Sequence, residues 1–542
     1  MICLRAGDQT TCGVETQTLP PSSESAAFRK GEIGHELRLD SDARIPVLGQ
    51  SLEFIRHHAW QFLAISAAVL TPCFWHRNIE AGDLGSHLYN AWLAQLIQRG
   101  EAPGLWIAHQ WNNVLFDLLL SGLGSIFDLR VAEKIAVSLA VLIFFWGAFA
   151  LVCAATRRAP WFLLPLLAMI SYGWTFELGF FNYYISLGLS FFGIAISWRG
   201  TARERLAVLV LAPLAFLAHP LGAVWLVGAV VYLSVWEKVP NRFRLAVLPA
   251  AIAMLGGLHV YLVRHYVVDP PDDPIYLFNG GDQFLLFGKR YAIPAAAAGL
   301  FSLVVLAADA ARWRRDRTIW KYYRVPAELL VLMAVSVVAL PDGIHLPSYP
   351  AAAALLIERL TSVTAVLFCC LLGAACPRRW HLIGFGAIAL VFFLFLYRDT
   401  AVINQMESSV ERLVHTIPRD QRVMATIATF PGSRVLIQHI VDRACIGHCF
   451  SYGNYEPATQ QFRVRAQLGN HYVMANDRDA AAMEEGFYSV RPQDLPAWQI
   501  YQCSIAGTDL CIRPLGPGED NDESGVHPDV QPSLDSNGAK SQ

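Results

Sequence analysis

The chain has 542 residues, 54 % of them hydrophobic and 16 % charged. Soluble domains carry closer to ~25 % charged, so with a mean hydropathy of +0.37 the composition excludes an ordinary soluble protein and implies several membrane spans plus some polar chain. The net charge of −2 carries no information about partners, and the lack of a dense basic block or nucleic-acid motif sets nucleic acid aside.

In chain order, the first 57 residues are polar and mixed in charge. They lack the basic-then-apolar start of a secretory signal and read as an uncleaved cytoplasmic segment. A helix needs roughly 20 apolar residues to cross about 30 Å of hydrocarbon. On that basis residues 58–398 form a transmembrane helical domain, with spans at Ala59–Trp75, Val131–Ala154, Trp161–Trp174, Tyr183–Trp198, Leu206–Leu217, Leu221–Trp236, Leu245–Val263, Tyr291–Ala308, Val325–Leu340, Leu355–Cys376 and Leu382–Tyr397, eleven in all.

The loop charges orient these spans. With the N-terminus cytoplasmic, the cytoplasmic loops hold Arg157-Arg158, Arg199/Arg203/Arg205, Lys238/Arg242/Arg244, Arg312/Arg314/Arg315/Arg317 and Arg378-Arg379. The opposite loops Trp174–Asn182, His219-Pro220 and Pro341–Pro350 contain no Lys or Arg. This alternation follows the positive-inside rule. An odd number of spans then places the C-terminal region outside the cytoplasm, in a bacterial-type inner membrane.

Within the first external loop, residues 84–123 read as two amphipathic surface helices, Leu84–Gln98 and Leu105–Leu123, lying on the membrane lipids. Residues 399–515 read as a small extracytoplasmic α/β domain. Ser408–Thr416 is helical in pattern, Arg422–Ile427, Arg434–His439, Gln461–Arg465 and Gln499–Cys503 have strand character, and Ala506–Asp509 resembles a turn. From Gly516 the Gly, Pro, Asp and Ser content predicts a disordered tail. The predicted fold class is therefore mostly α, a polytopic transmembrane bundle with a small C-terminal α/β domain.

Cys445, Cys449, Cys503 and Cys511 fall in the predicted external region, where disulfides are expected in unspecified pairing. Zinc is the alternative, although the spacings are not those of a typical zinc site. Cys153, Cys369, Cys370 and Cys376 are expected as packing residues.

The polar non-basic residues at the span ends gather on the predicted external side. The first loop contains Glu80, Asp83 and His87, and the second surface segment His109, Asn112, Asn113 and Asp117. Further along come Glu177 and Asn182, His219-Pro220, Arg264 with His265 and Asp269, the acids Asp272, Asp273 and Asp282, Asp342 with His345, and Glu358-Arg359 after Pro350. An ionisable pair in or near a membrane is costly unless it faces protein or water, which makes such residues functional candidates.

A span followed by an external loop with an acidic residue, two surface helices, many spans and an external C-terminal domain resembles the GT-C class of membrane glycosyltransferases. The resemblance covers the architecture of most of the chain. Its short motif is Glu80-Ala-Gly-Asp83, one residue wider than the ExD found in members of the class. It implies a polyprenyl-phosphate-linked sugar as donor partner, Asp83 as the catalytic carboxylate with Glu80 and His87 beside it, and a divalent cation (Mg or Mn) as a possible cofactor. Inverting transfer needs a carboxylate to take the acceptor's proton and a cation to neutralise the leaving phosphate. Arg359 and Arg264 are the candidates for the phosphate, because guanidinium pairs well with phosphate oxygens. His345, Asp342 and Glu177 complete the candidate substrate site.

Each residue also has a structural reading. Asp83 after Gly82 is a good N-cap for the helix that follows. Glu80 reads as a solvated loop acid, His87 and His345 as interfacial packing, Glu358-Arg359 as a self-satisfying ion pair, and Trp75, Trp92, Trp106, Trp111 and Trp174 as membrane-interface aromatics. Two other functions fit the composition: a transporter or flippase for a lipid-linked or polar solute, and a non-catalytic envelope protein. Transporters often carry internal repeats, and none is visible here.

Overall fold

The computed structural model describes residues 56–519, apart from 199, 271–278, 316–319, 348–351, 428–429, 438, 485–486 and 504–507. Most of the polar N-terminal segment, the tail beyond residue 519, Asp272 and Asp273, and the centre of the turn at Ala506–Asp509 lie outside the described residues.

The chain is mostly helical, with a small sheet content. Its principal elements begin with helix α1 (Ala59–Val69), α2 (Leu84–Arg99), strand β1 (Leu105–Ile107), α3 (Leu115–Gly124), α4 (Leu129–Thr156), α5 (Leu164–Ser171), α6 (Trp174–Glu177) and α7 (Phe181–Ser197). They continue with α8 (Val208–Ala218), α9 (Pro220–Lys238), α10 (Arg244–His265), β2 (Val267–Asp269), α11 (Ala292–Arg315), α12 (Trp320–Ala339), β3 (Gly343–His345), α13 (Leu356–Gly373) and α14 (Arg379–Val414). The C-terminal region adds β4 (Arg422–Thr426), α15 (Ile440–Cys445), β5 (Phe450–Ser451), α16 (Glu456–Thr459), β6 (Val464–Ala466), α17 (Asp477–Glu484), β7 (Ala497–Gln502) and β8 (Leu510–Leu515).

Among the described residues, six helices are long and apolar enough to cross a membrane; they correspond to α4, α9, α10, α11, α13 and α14. Helices α1, α3, α7 and α8 are shorter and apolar. The start of α4 is set by Asp128, whose carboxylate accepts from the Arg130 N–H at 2.9 Å. The α8–α9 corner is set by His219 and Pro220: the His219 ring accepts from the Leu221 N–H at 3.2 Å, and Pro220 occupies the first helical turn. Helices α4 and α7 touch backbone to backbone. A Cβ added at Gly147 would lie 2.4 Å from the Gly188 carbonyl oxygen, so only glycine permits this approach.

The expected span Trp161–Trp174 is broken. A 3-10 turn (Trp161–Leu163) precedes α5, and α6 starts only after Gly173, where a Cβ would sit 2.9 Å from the Gln283 carbonyl. Helix α14 is longer than its apolar run. At 36 residues it spans about 54 Å at 1.5 Å per residue. It carries Ser408–Val414 as its own last turns, so the domain boundary expected near residue 398 falls inside a continuous helix.

The largest departure concerns α2, expected on the membrane surface. It is buried along almost its whole length, its polar Ser86, His87 and Asn90 included. Its polar face meets protein: α15 and the loop around Asn454–Glu456 cover it. The segment Leu105–Leu123 is a strand followed by a helix rather than one helix.

In the C-terminal region β4 lies between β5 and β7, parallel to both, and β8 pairs antiparallel with β7 in the order β5-β4-β7-β8. A separate core of Met424, Tyr452, Met474, Met483 and Tyr488 fills one side of this sheet. The strand expected at Gln461–Arg465 is confined to β6, which pairs antiparallel with β1 far away in the chain. The described residues of Arg434–His439 form no strand, because the Arg434 N–H is taken by the Leu286 carbonyl at 2.8 Å. Disulfides join Cys445 to Cys449 and Cys503 to Cys511. Cys153, Cys369 and Cys370 are free thiols packed in the helical body, whereas Cys376 is disulfide-bonded rather than a packing thiol.

Candidate functional site

The sequence Gly82-Asp83-Leu84-Gly85 sits where three segments converge. The Gly82 N–H donates to the Glu177 carbonyl at 2.7 Å and the Asp83 N–H to the Leu178 carbonyl at 3.0 Å. The approach leaves no space for side chains at the glycines. A Cβ on Gly82 would be 2.8 Å from the Leu178 oxygen, and one on Gly179, whose φ is +81°, would be 2.6 Å from the Asp83 nitrogen. On the other side, a Cβ on Gly85 would be 2.2 Å from the His439 carbonyl oxygen.

Asp83 occupies the N-cap position of α2, but its carboxylate makes no capping hydrogen bond. It turns instead toward His439, whose Nε2 lies 3.7 Å from Asp83 Oδ1. The other ring nitrogen, Nδ1, is 2.9 Å from Asp442 Oδ2, one turn further along the same segment. The second Asp442 oxygen accepts from the Ser451 hydroxyl on β5. His439 and Asp442 are buried, and about a fifth of the Asp83 side chain is exposed. Burial raises the Asp83 carboxyl above its ordinary range, against the lowering effect of His439, His87 and Arg359.

His87, one turn into α2, bonds Asp117 through Nδ1 at 2.9 Å. The second Asp117 oxygen accepts from Asn182 at 2.9 Å, and the Asn182 oxygen accepts from the Phe116 N–H at 2.7 Å. Burial alone would lower the imidazole. The Asp117, Glu456 and Asp83 carboxylates outweigh it and raise His87 to about 10, so it is a fixed cation. Beside it Glu456 accepts from Ser86 at 2.8 Å and Asn90 at 2.6 Å, and burial pushes it to about 7.

Arg359, in the first turn of α13, faces the same region, with Asp83, Asp342, Tyr183 and Tyr455 as its electrostatic neighbours. Its guanidinium stacks over the Phe180 ring at 4.2 Å and reaches His219 Nε2 at 3.3 Å, and its carbonyl accepts from the Tyr183 hydroxyl at 2.7 Å. No carboxylate among the described residues pairs with it within 4.0 Å, and its Nε is buried without a hydrogen-bond partner. Glu358, the neighbour expected to form its ion pair, does not.

Glu80, three residues before Asp83, belongs to a different cluster. It accepts from Asn404 at 2.6 Å, deep among Glu133, Glu407 and Arg443. Arg443 donates to both Glu407 oxygens at 2.9 and 2.8 Å and lies 3.2 Å from Glu133. Burial first, and Glu407 second, raise Glu80 well above the usual carboxyl range. It is not a solvated loop acid.

The remaining candidates lie apart. Glu177 is buried behind the Gly82 contact, its carboxyl pushed well up by burial and one oxygen without a partner. Asp342 accepts from the Ile357 N–H at 3.3 Å at the start of α13. His345 pairs with Asp269 at 3.2 Å where β2 and β3 run antiparallel, and Arg264 is exposed at the end of α10. The arrangement thus gathers Asp83, His87 and Arg359, with Asp342 at its edge. It adds His439, Asp442, Tyr455 and Glu456, which the sequence reading did not place in the site. The one sequence signal for the addition is His439-Ile-Val-Asp442, an i,i+3 pair directly before a cysteine pair.

Among the described residues no group of three or more His, Cys, Asp or Glu side chains is arranged to hold a metal ion. Glu80 and Asp83, the nearest approach to a metal-binding motif, are engaged by different partners. Comparison with known protein families, characterised sequences and solved structures finds no match.

Proposed function

We propose that this chain is a multi-pass membrane glycosyltransferase resembling the GT-C class, moving a sugar from a polyprenyl-phosphate-linked donor to an acceptor on the non-cytoplasmic side. In this reading about eleven helices cross a bacterial-type inner membrane, the N-terminus is cytoplasmic, and the α/β region after α14 lies on the far side. The basic residues of alternate loops support that orientation.

The observation that carries the reading is Asp83: a partly exposed carboxylate at a helix start that does not cap its helix, within electrostatic reach of a guanidinium that has no carboxylate partner among the described residues. The acceptor hydroxyl gives its proton to Asp83 while its oxygen attacks the anomeric carbon. The bond from that carbon to the donor phosphate breaks, and the phosphate leaves with the electron pair. Arg359, preorganised on Phe180, takes up the phosphate charge; a fixed cation in a partly desolvated site is worth more than one that must be gathered from water. Burial suits Asp83 to the role of base by raising its proton affinity. The buried α2 and its His87–Asp117 pair hold the site rigid.

The test uses the full-length chain in liposomes with a panel of polyprenyl-phosphate-linked hexoses, pentoses and N-acetylhexosamines, reading release of the lipid phosphate. Asp83→Asn is expected to lose about 10²–10⁴-fold in rate, with an unchanged melting temperature. Full turnover by a folded Asp83→Asn protein would show that the assignment is wrong.

A further inference from the structure

The C-terminal region contributes a second histidine–aspartate pair to the Asp83 site. We infer that His439, held by Asp442, is the positioning and proton-accepting partner of Asp83, so that the region after α14 is part of the reacting machinery rather than an appended binding domain. The inference rests on the transfer reading above.

Geometry makes the case. An ionised carboxylate only accepts hydrogen bonds. Asp442 Oδ2 at 2.9 Å from Nδ1 therefore assigns the ring proton to Nδ1, and Ser451 fills the other Asp442 oxygen. In the neutral ring this leaves Nε2 as an acceptor facing Asp83 Oδ1 across 3.7 Å. Two acceptors do not close to hydrogen-bond distance. Once Asp83 has taken the acceptor's proton it becomes a donor, and the gap closes by less than about 1 Å to a hydrogen bond.

The balance is complete. The acceptor O–H breaks, the new C–O bond forms, the phosphate keeps the electron pair of the broken bond, and the proton passes from Asp83 to Nε2. The resulting imidazolium is stabilised by Asp442, and Asp83 is a carboxylate again before the next acceptor arrives.

The placement is also fixed on every side. Gly85 lets the His439 backbone approach α2 with no room for a methyl group. Tyr455 covers the ring with centroids 5.4 Å apart. The Cys445–Cys449 disulfide ties the end of α15 to the residue before β5, so Asp442 and Ser451 keep their spacing. Among the described residues, the titratable and charged groups around His439 include Asp83 at the start of α2, Asp442 from its own segment, Tyr455 from the covering loop, and Glu80, Glu407 and Arg443 across the narrow cleft that His439 lines.

The experiment has two arms on the full-length protein. In the first, the protonated-carboxyl infrared band that disappears in Asp83→Asn is titrated with pH, with no donor present. His439→Gln is expected to lower the Asp83 midpoint by about one pH unit, a tenfold change in proton affinity, because it removes the Nε2 acceptor of the neutral ring, which favours the protonated carboxyl. An unchanged or raised midpoint overturns the inference. In the second arm, lipid-phosphate release is followed against pH. Asp442→Asn weakens the hold on the imidazolium and is expected to move the acid limb of the wild-type profile to lower pH. A limb that stays in place, with only the plateau rate lowered, shows a packing role and overturns the relay. Loss of turnover in Asp83→Asn, with His439→Gln unaffected in both arms, rejects the relay and leaves the transfer reading standing. Absence of release from any donor by the wild type rejects the transfer reading, while the infrared titration still decides the Asp83–His439 coupling.

Discussion

Glu80 and Asp83 are three residues apart in one loop, and their surroundings differ in kind. Glu80 is enclosed with two other carboxylates, one arginine and two asparagines, and its hydrogen-bonding is internal. Asp83 keeps part of its surface open, makes no cap, and faces a histidine and a guanidinium that stop short of bonding it. The first arrangement is closed and holds helices together; the second is open and has charge left for a ligand. Burial and an acidic residue do not by themselves make a site. What distinguishes the two is whether the surrounding donors are already used.

Four substitutions test that contrast, beginning with the one expected to do most. Arg443→Met removes the guanidinium that pairs with Glu407 and Glu133 beside Glu80 and leaves those buried carboxylates without their ion-pair partner. A loss of about 3–5 kcal/mol is expected, seen as a large drop in melting temperature and in yield of folded protein. His87 comes next, with an effect that depends on pH. Its proton affinity is raised in the folded protein, to about 10 from an ordinary 6.5. The stabilisation is therefore fully present below pH 6.5 and is lost as pH rises through 10. Thermal melts of the wild type should fall across that window, and those of His87→Gln should stay flat; equal slopes would mean that Asp117 does not hold His87 charged. Replacing both Cys445 and Cys449 by serine opens a short loop, for which chain entropy predicts about 2 kcal/mol, measurable by denaturant unfolding. Glu80→Gln is expected to change stability by less than about 1 kcal/mol, because burial and Glu407 favour the protonated form of Glu80 and glutamine retains an oxygen for Asn404. A strong destabilisation would mean that Glu80 is ionised and that the two acids are more alike than their surroundings indicate.

Much of the helical body was legible in the sequence, because a long apolar run has few alternatives to helix. The Asp83 loop was legible from Gly-Asp before an amphipathic pattern. Other features depended on pairings that no local pattern records. The polar face of α2 has the same spacing whether it meets water, headgroups or protein, and it is Glu456 and Asn454 that satisfy Ser86 and Asn90. Glu80 resembled a loop acid because its partners Glu133, Glu407 and Arg443 come from three other helices. Arg359 looked paired with its neighbour Glu358, but adjacent residues on a helix point in different directions. His439 ended the stretch expected as a strand, Arg434–His439, and Asp442 lay beyond it; the α2 contact at Gly85 brings them to Asp83.

The pairing of β1 with β6 has a consequence for how the molecule is made. The early strand, Leu105–Ile107, has an unsatisfied edge until Val464–Ala466 is synthesised and delivered to it. Asp83 likewise has no histidine partner until His439 arrives. A nascent chain halted after α14 would hold all six long apolar helices of the described residues but neither His439 nor Asp442. Synthesis of the region after α14 therefore acts as a built-in interlock: the ribosome must pass Ser451 before the surroundings of the first acidic loop are complete.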